Sequence, residues 1–158
     1  LCTMGYYQDA LNRMKLRYHA MIESPLTTLW EGWGIGSEGF GGGTYNHAWS
    51  GGPLTILSQY IAGIETVEPA FRTFRVAPHP AHLNFIRTQV PLSGGRRIVL
   101  EMGKSAHCGT MYLRVPEGTS AQVELPAEFS SWCVNGEPKS ERKLRLSAGE
   151  WRFEMQVD

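Results

Sequence analysis

In the segment Trp30-Glu31-Gly32-Trp33, a glutamate stands between two tryptophans, directly after Thr27-Thr28-Leu29 and at the mouth of a glycine-rich loop. A carboxylate flanked by indoles suits a sugar site. Aromatic faces hold a pyranose ring while the carboxylate activates water or protonates a leaving oxygen. The same residues also suit a Glu that caps the following turn, with its tryptophans packed in a core, and spacing alone leaves both readings open. His47 follows Asn46 and precedes Trp49, ahead of a helix start marked by Gly52 and Pro53. It could hydrogen-bond a sugar hydroxyl or place a nucleophilic water, or it could bond the loop backbone. No second His, Cys or acid stands at a ligand spacing from it, so no metal is expected. Ser50, in Trp49-Ser50-Gly51-Gly52, lacks the Gly-x-Ser-x-Gly pattern of a nucleophile elbow. Glycines 41 to 43 lack the Gly-Lys-Ser/Thr of a phosphate-binding loop. No cofactor is implied.

These residues need elements to hold them. Met4, Tyr7, Leu11, Met14, Tyr18 and Met21 recur at alternating steps of three and four, one face of an amphipathic helix that Pro25 closes. Residues 32–52 form a long loop dense in glycine, of a length that is often functional. A second helix is expected from Pro53, with Leu54, Leu57, Ile61 and Ile64 on its apolar face, widened by Ile56 and Tyr60. Two such helices need neighbours, either outside this chain or in its second half. After Pro69 the period becomes two: Leu83 and Phe85; Ile98, Leu100 and Met102; Met111, Leu113 and Val115; Ala121, Val123 and Leu125; Leu144 and Leu146; Trp151, Phe153, Met155 and Val157. Turn signals separate them at 93–95, 103–104, 116–118, 135–136 and 148–149. Short strands so spaced predict an antiparallel β-sandwich. The fold class is therefore α + β in two parts, residues 1–68 and 69–158, with the boundary near Glu68 to Phe71. Trp132 and Trp151 fall in the strand region and read as core; His79, His82 and His107 are scattered and mark no site.

Lys plus Arg and Asp plus Glu each total 15, so the net charge is zero. That gives no electrostatic reason for a nucleic acid or anionic membrane partner, and no apolar run is long enough to cross a bilayer. Cys2, Cys108 and Cys133 show neither zinc spacing nor a disulfide framework. Cys108 and Cys133 could bridge in an oxidising compartment, although buried free thiols fit the composition better. Leu1 opens what reads as a helix without an initiating Met, as expected of a segment of a longer chain.

The stretch ALNRMKLRYHAMIESPLTTLWEGWG, residues 10–34, resembles the last part of the six-hairpin barrel of family 78 glycoside hydrolases, the α-L-rhamnosidases. YNHAWSGGPLTILSQYIAGIETVE, residues 45–68, resembles the closing helix of that barrel. PAFRTFRVAPHP and LRVPEGTSAQVELP resemble the small C-terminal β-sandwich that follows. The resemblance implies residues 1–68 as the end of an (α/α)6 catalytic barrel, and 69–158 as the C-terminal sandwich. It implies hydrolysis of terminal α-L-rhamnosides with inversion, by two carboxyl groups roughly 6.5–9.5 Å apart. Glu31 matches the general base and His47 the sugar-contacting histidine. Trp30 and Trp33 would be pocket walls or supports, and Trp49 a further substrate contact. The general acid would lie in an earlier part of the barrel, so the implied partners are a rhamnoside and the rest of a parent catalytic chain, and this segment alone should be inactive. A periplasmic or secreted location is favoured over a cytoplasmic one. Two alternatives stand beside this reading: a non-catalytic carbohydrate-binding sandwich, and a structural end-piece of a polysaccharide-degrading protein.

Overall fold

The computed structural model describes residues 1–36 and 43–157; glycines 41 and 42 of the glycine run lie outside them. The chain divides into two compact units, Leu1–Ile56 and Leu57–Asp158.

The first unit is built on helix α1 (Tyr7–Glu23), which follows a 3-10 turn at Cys2–Met4. Met4 is therefore outside the helix and exposed. The rest of the expected face turns inward: Leu11 and Met21 are buried, and Tyr7, Met14 and Tyr18 half-buried. Ser24 ends α1 in extended geometry, as the residue before Pro25 must. Met21, Trp30 and Ile35 then form a small core, with Tyr18 and Leu29 packed against it. Leu16 and Ile22, six residues and so about 120° apart around the helix, are 75% and 71% exposed.

The second helix differs from expectation. A 3-10 turn (Ala48–Gly51) leads into α2 (Gly52–Thr55), and a π-helical turn (Ile56–Ile61) follows. Ile64 is not on a helix face; it starts strand β1 (Ile64–Thr66). Gly63 makes the break. Its φ is +70°, and the carbonyl oxygen of Ala77 lies where a Cβ would come within 1.9 Å. The Ala77 N–H bonds Gly63 O and the His79 N–H bonds Ile61 O, both at 2.9 Å, so the chain turns from helix into sheet at this contact. The sheet unit accordingly begins before the boundary expected near Glu68, because β1 pairs with β2 (Thr73–Val76) in the register Ile64↔Val76.

The sheet unit carries the alternation read from the sequence. One sheet has the order β1-β2-β6-β9, with β6 at Ser120–Glu124 and β9 at Lys143–Leu146. The other runs β3-β4-β5-β10-β7-β8, with β3 Phe85–Pro91, β4 Arg97–Lys104, β5 Cys108–Val115, β7 Ser131–Val134, β8 Glu137–Lys139 and β10 Gly149–Gln156. All pairs are antiparallel except β2 with β6, which run parallel, a departure from the all-antiparallel expectation. Inward residues align across strands: Leu100↔Leu113↔Trp151, and Met102↔Met111↔Phe153↔Val134. Phe74 and Val76 of β2 and Ala121 and Val123 of β6 supply the buried side of the smaller sheet. The result is a β-sandwich-like core of two mostly antiparallel sheets.

Turns follow the glycine signals with one exception. Asn135 and Gly136, both at positive φ, form the two-residue β7–β8 hairpin that such a pair favours. Gly103 and Lys104 instead belong to β4, and the turn falls at 105–107, where Ser105 Oγ accepts the N–H groups of His107 and Cys108. Cys108 and Cys133 are free thiols. They pair with Gln156 and Glu154 on opposite sides of β10. Two strand spacings, about 9–10 Å, separate their backbones, which is beyond disulfide reach.

Candidate functional site

The site residues lie in the first unit, where the two ends of the glycine-rich loop run side by side. Beyond Pro25 the chain is extended, and its alternation sends neighbouring side chains to opposite faces. Leu29 O accepts the His47 N–H at 2.8 Å, the Glu31 N–H donates to Thr44 O at 2.9 Å, and the Thr28 hydroxyl donates to Tyr45 O. Thr28 to Glu31 and Thr44 to His47 thus form a short irregular ladder across the base of the loop.

Glu31, half-buried, is held through both its main chain and its carboxylate. Oε2 accepts the Thr44 N–H at 2.8 Å and the Thr44 hydroxyl at 3.2 Å. The Trp49 indole N–H donates to Glu31 O at 2.9 Å. Among the described residues no donor reaches Oε1. Glu31 therefore does not simply cap the turn after it; its carboxylate reaches across the ladder to the far end of the loop.

His47 caps the 3-10 turn Ala48–Gly51, with Nδ1 accepting the Trp49 N–H at 3.4 Å. An acceptor at Nδ1 places the proton of the neutral imidazole on Nε2. The Trp49 ring packs on the imidazole at 4.4 Å between centroids and is itself 69% exposed. Glu31, His47 and Trp49 are thereby joined by direct contacts.

The other two tryptophans are placed differently. Trp30 is buried in the core with Met21 and Ile35, edge-on to Tyr45 at 5.0 Å. At 7% exposure its ring offers little surface to a ligand. Its main-chain N–H donates to Met21 Sδ at 3.5 Å, while Ser50 Oγ donates to its carbonyl and Tyr18 OH bonds Ser50 O at 3.2 Å. Trp33 is half-exposed, with Tyr18 edge-on at 6.3 Å and the Arg17 guanidinium 5.0 Å over its ring.

Sequence reasoning did not select Thr44, Tyr45 or Tyr18, and it considered Ser50 only as a nucleophile. Ser50 is instead a buried structural donor. Thr44 carries no motif, and its one sequence signal is its place as the first non-glycine residue after the glycine run.

Residues 63–139 match the family described as bacterial α-L-rhamnosidase C-terminal domain. Among solved structures the chain is similar to an α-L-rhamnosidase from Dictyoglumus thermophilum, with a TM-score of 0.73 and 23% identity over 88% of this chain and 17% of that one. It is also similar to the Streptomyces avermitilis α-L-rhamnosidase solved in complex with L-rhamnose (TM-score 0.67, 22% identity, 87% of this chain and 14% of that one). A third likeness is to the α-L-rhamnosidase of Aspergillus terreus (TM-score 0.64, 21% identity, 87% and 15%). These likenesses establish a shared fold, and the chain spans less than one fifth of each of those proteins. Among curated proteins none matches. The family match thus identifies segment 63–139 as a bacterial α-L-rhamnosidase C-terminal domain.

Proposed function

We propose that this chain is the C-terminal part of an inverting glycoside hydrolase acting on terminal α-L-rhamnosides, with Glu31 as its general base. The observation that carries the reading is the state of the Glu31 carboxylate. One oxygen is fixed by two Thr44 donors, while among the described residues the other has no donor and would be the one to face a water. In the proposed reaction that water attacks the anomeric carbon, and Glu31 takes its proton as the new C–O bond forms. The bond to the leaving oxygen breaks on the opposite face, and an acid from the preceding part of the parent chain protonates that oxygen. Rhamnose leaves with inverted configuration together with the free alcohol. His47, donating from Nε2, would bind a sugar hydroxyl, and the exposed faces of Trp49 and Trp33 would contact the ring. The first unit would be the end of the helical catalytic domain. Leu16 and Ile22, exposed on α1, support this, since large apolar side chains left open on two sides of one helix suit packing against neighbours.

The reading is tested with the longest natural chain containing this segment, assayed on an aryl α-L-rhamnoside with and without Glu31→Gln. Turnover should fall by about 10²–10⁴-fold in the variant while rhamnose binding persists. An unmutated parent without rhamnosidase activity would overturn the substrate assignment. Turnover by the 158-residue segment alone, above its Glu31→Gln control, would overturn the division of the two carboxyl groups between segments. A carbohydrate-binding role for the sandwich has less support. A groove of about 530 Å³ does contain Trp151. However, its indole N–H is bonded to Ser147 O, and the nearby Asn135 amide is committed to Glu150 O and the Arg152 N–H.

A further inference from the structure

We infer that Thr44 is the positioning residue of the general base, an inference that rests on the Glu31 assignment above. A glutamate side chain has three rotatable bonds, and a base that must meet one water at one place needs them stopped. Thr44 stops them from a single residue. Its N–H and its hydroxyl both donate to Oε2, at 2.8 and 3.2 Å, while its carbonyl accepts the Glu31 N–H at 2.9 Å. Main chain and carboxylate of Glu31 are therefore gripped together. Two donors on one oxygen fix the rotation of the carboxylate plane and direct Oε1 away from Thr44. The Trp49 indole holds the Glu31 carbonyl at 2.9 Å, so the backbone from which the side chain starts is fixed as well.

The arrangement separates the two jobs that Thr44 does. Its backbone bonds fasten the loop and survive any side-chain change, together with the His47 N–H to Leu29 O bond. Only the hydroxyl belongs to the side chain, and its one hydrogen is shared between Glu31 Oε2 at 3.2 Å and Asn46 O at 3.3 Å. Thr44→Val keeps the shape and the ladder and removes that one donor, and Thr44 is exposed, so the substitution opens no cavity.

The test uses the full natural chain that contains this segment, with Thr44→Val, Thr44→Ser and Glu31→Gln, and an aryl α-L-rhamnoside at a series of concentrations. Thr44→Val is expected to lower kcat about tenfold with KM unchanged within about twofold. Thr44→Ser, which restores the hydroxyl, restores kcat. Thr44→Ala repeats the valine result should a methyl in place of the hydroxyl disturb the loop. If Glu31→Gln abolishes turnover while Thr44→Val keeps wild-type kcat, the inference is overturned and the base reading stands. A loss in Thr44→Val that serine does not restore assigns Thr44 to loop packing and overturns it too. Full activity in Glu31→Gln overturns the base reading itself.

Discussion

Replacing Gly63 by alanine should damage the sheet unit far more than the loss of one glycine ordinarily does. Two costs combine. At φ +70° any L-residue meets the left-handed penalty, about 1–2 kcal/mol. The added Cβ would also stand 1.9 Å from Ala77 O and 2.2 Å from Ala77 C, against a closest tolerated approach near 3.0 Å. The two backbones must therefore part by about 1 Å. That strains the Ala77 N–H to Gly63 O bond, and an orphaned buried bond costs about 1–3 kcal/mol. Together the loss is about 2–5 kcal/mol. Gly94→Ala isolates the first cost, since Gly94 has φ +71° but nothing within 4 Å of its absent Cβ. For a unit of about 100 residues, each kcal/mol moves Tm by about 4–8 °C. In thermal unfolding by calorimetry, Gly63→Ala should lower Tm at least about 4 °C further than Gly94→Ala. Equal shifts would refute the reasoning, because they would mean that the β1–β2 edge gives way without cost.

Other perturbations follow from the same structure. His79 is held below its usual 6.5, first by burial and then by the Arg75 charge, against the opposing pull of Glu128, Glu124 and Glu65. Its neutral form is thus favoured on folding. The contribution to stability is complete above pH 6.5 and is lost as pH falls through the lowered folded value. Tm measured at falling pH should drop with a slope that His79→Gln reduces; an unchanged slope would remove His79 as the source. Intact-mass measurement after alkylation of the oxidised, denatured protein should find Cys2, Cys108 and Cys133 all modified, and an unmodified Cys108–Cys133 pair would contradict the strand order. Trp30→Ala should cost about 3–5 kcal/mol, read from denaturation of the helical far-UV signal that α1 dominates. Trp30→Phe should cost less than about 2 kcal/mol, because the buried indole N–H it removes has no partner among the described residues. Equal losses in the two would mean that the N–H is bonded.

The sandwich was legible where strands are long and half-buried, because a period of two leaves its mark only on such strands. β4, β5 and β10 alternate over eight residues each, and all three were visible. β8 is Glu-Pro-Lys at a sheet edge, where there is no inner face to mark. β1 was hidden in a helix pattern, since Ile61 and Ile64 are three apart on either count. The glycine between them carried the contrary signal, and it is the close approach of Ala77, 14 residues away, that gives that glycine its meaning. The parallel pairing of β2 with β6 joins Thr73 to Ser120. Nothing local distinguishes it from an antiparallel pair, because register and direction are set by the strands of the other sheet that lie between them in sequence.

At the candidate site, adjacency in sequence was read as adjacency in space, and extended backbone undoes that. Trp30 and Glu31 are neighbours whose side chains leave on opposite faces, so the indole next to the carboxylate is the one buried away from it. Trp49, 18 residues on, is the indole bonded to Glu31. The split gives the segment its use. Burial of Trp30 against Met21 and Ile35 anchors the chain, Ser50 and Trp49 hold the carbonyls of Trp30 and Glu31, and among the described residues Thr44 alone orients the carboxylate on the other face. A carboxylate placed by a rigid main chain and a single threonine has little freedom left to lose. That is the property the proposed base needs before a substrate arrives.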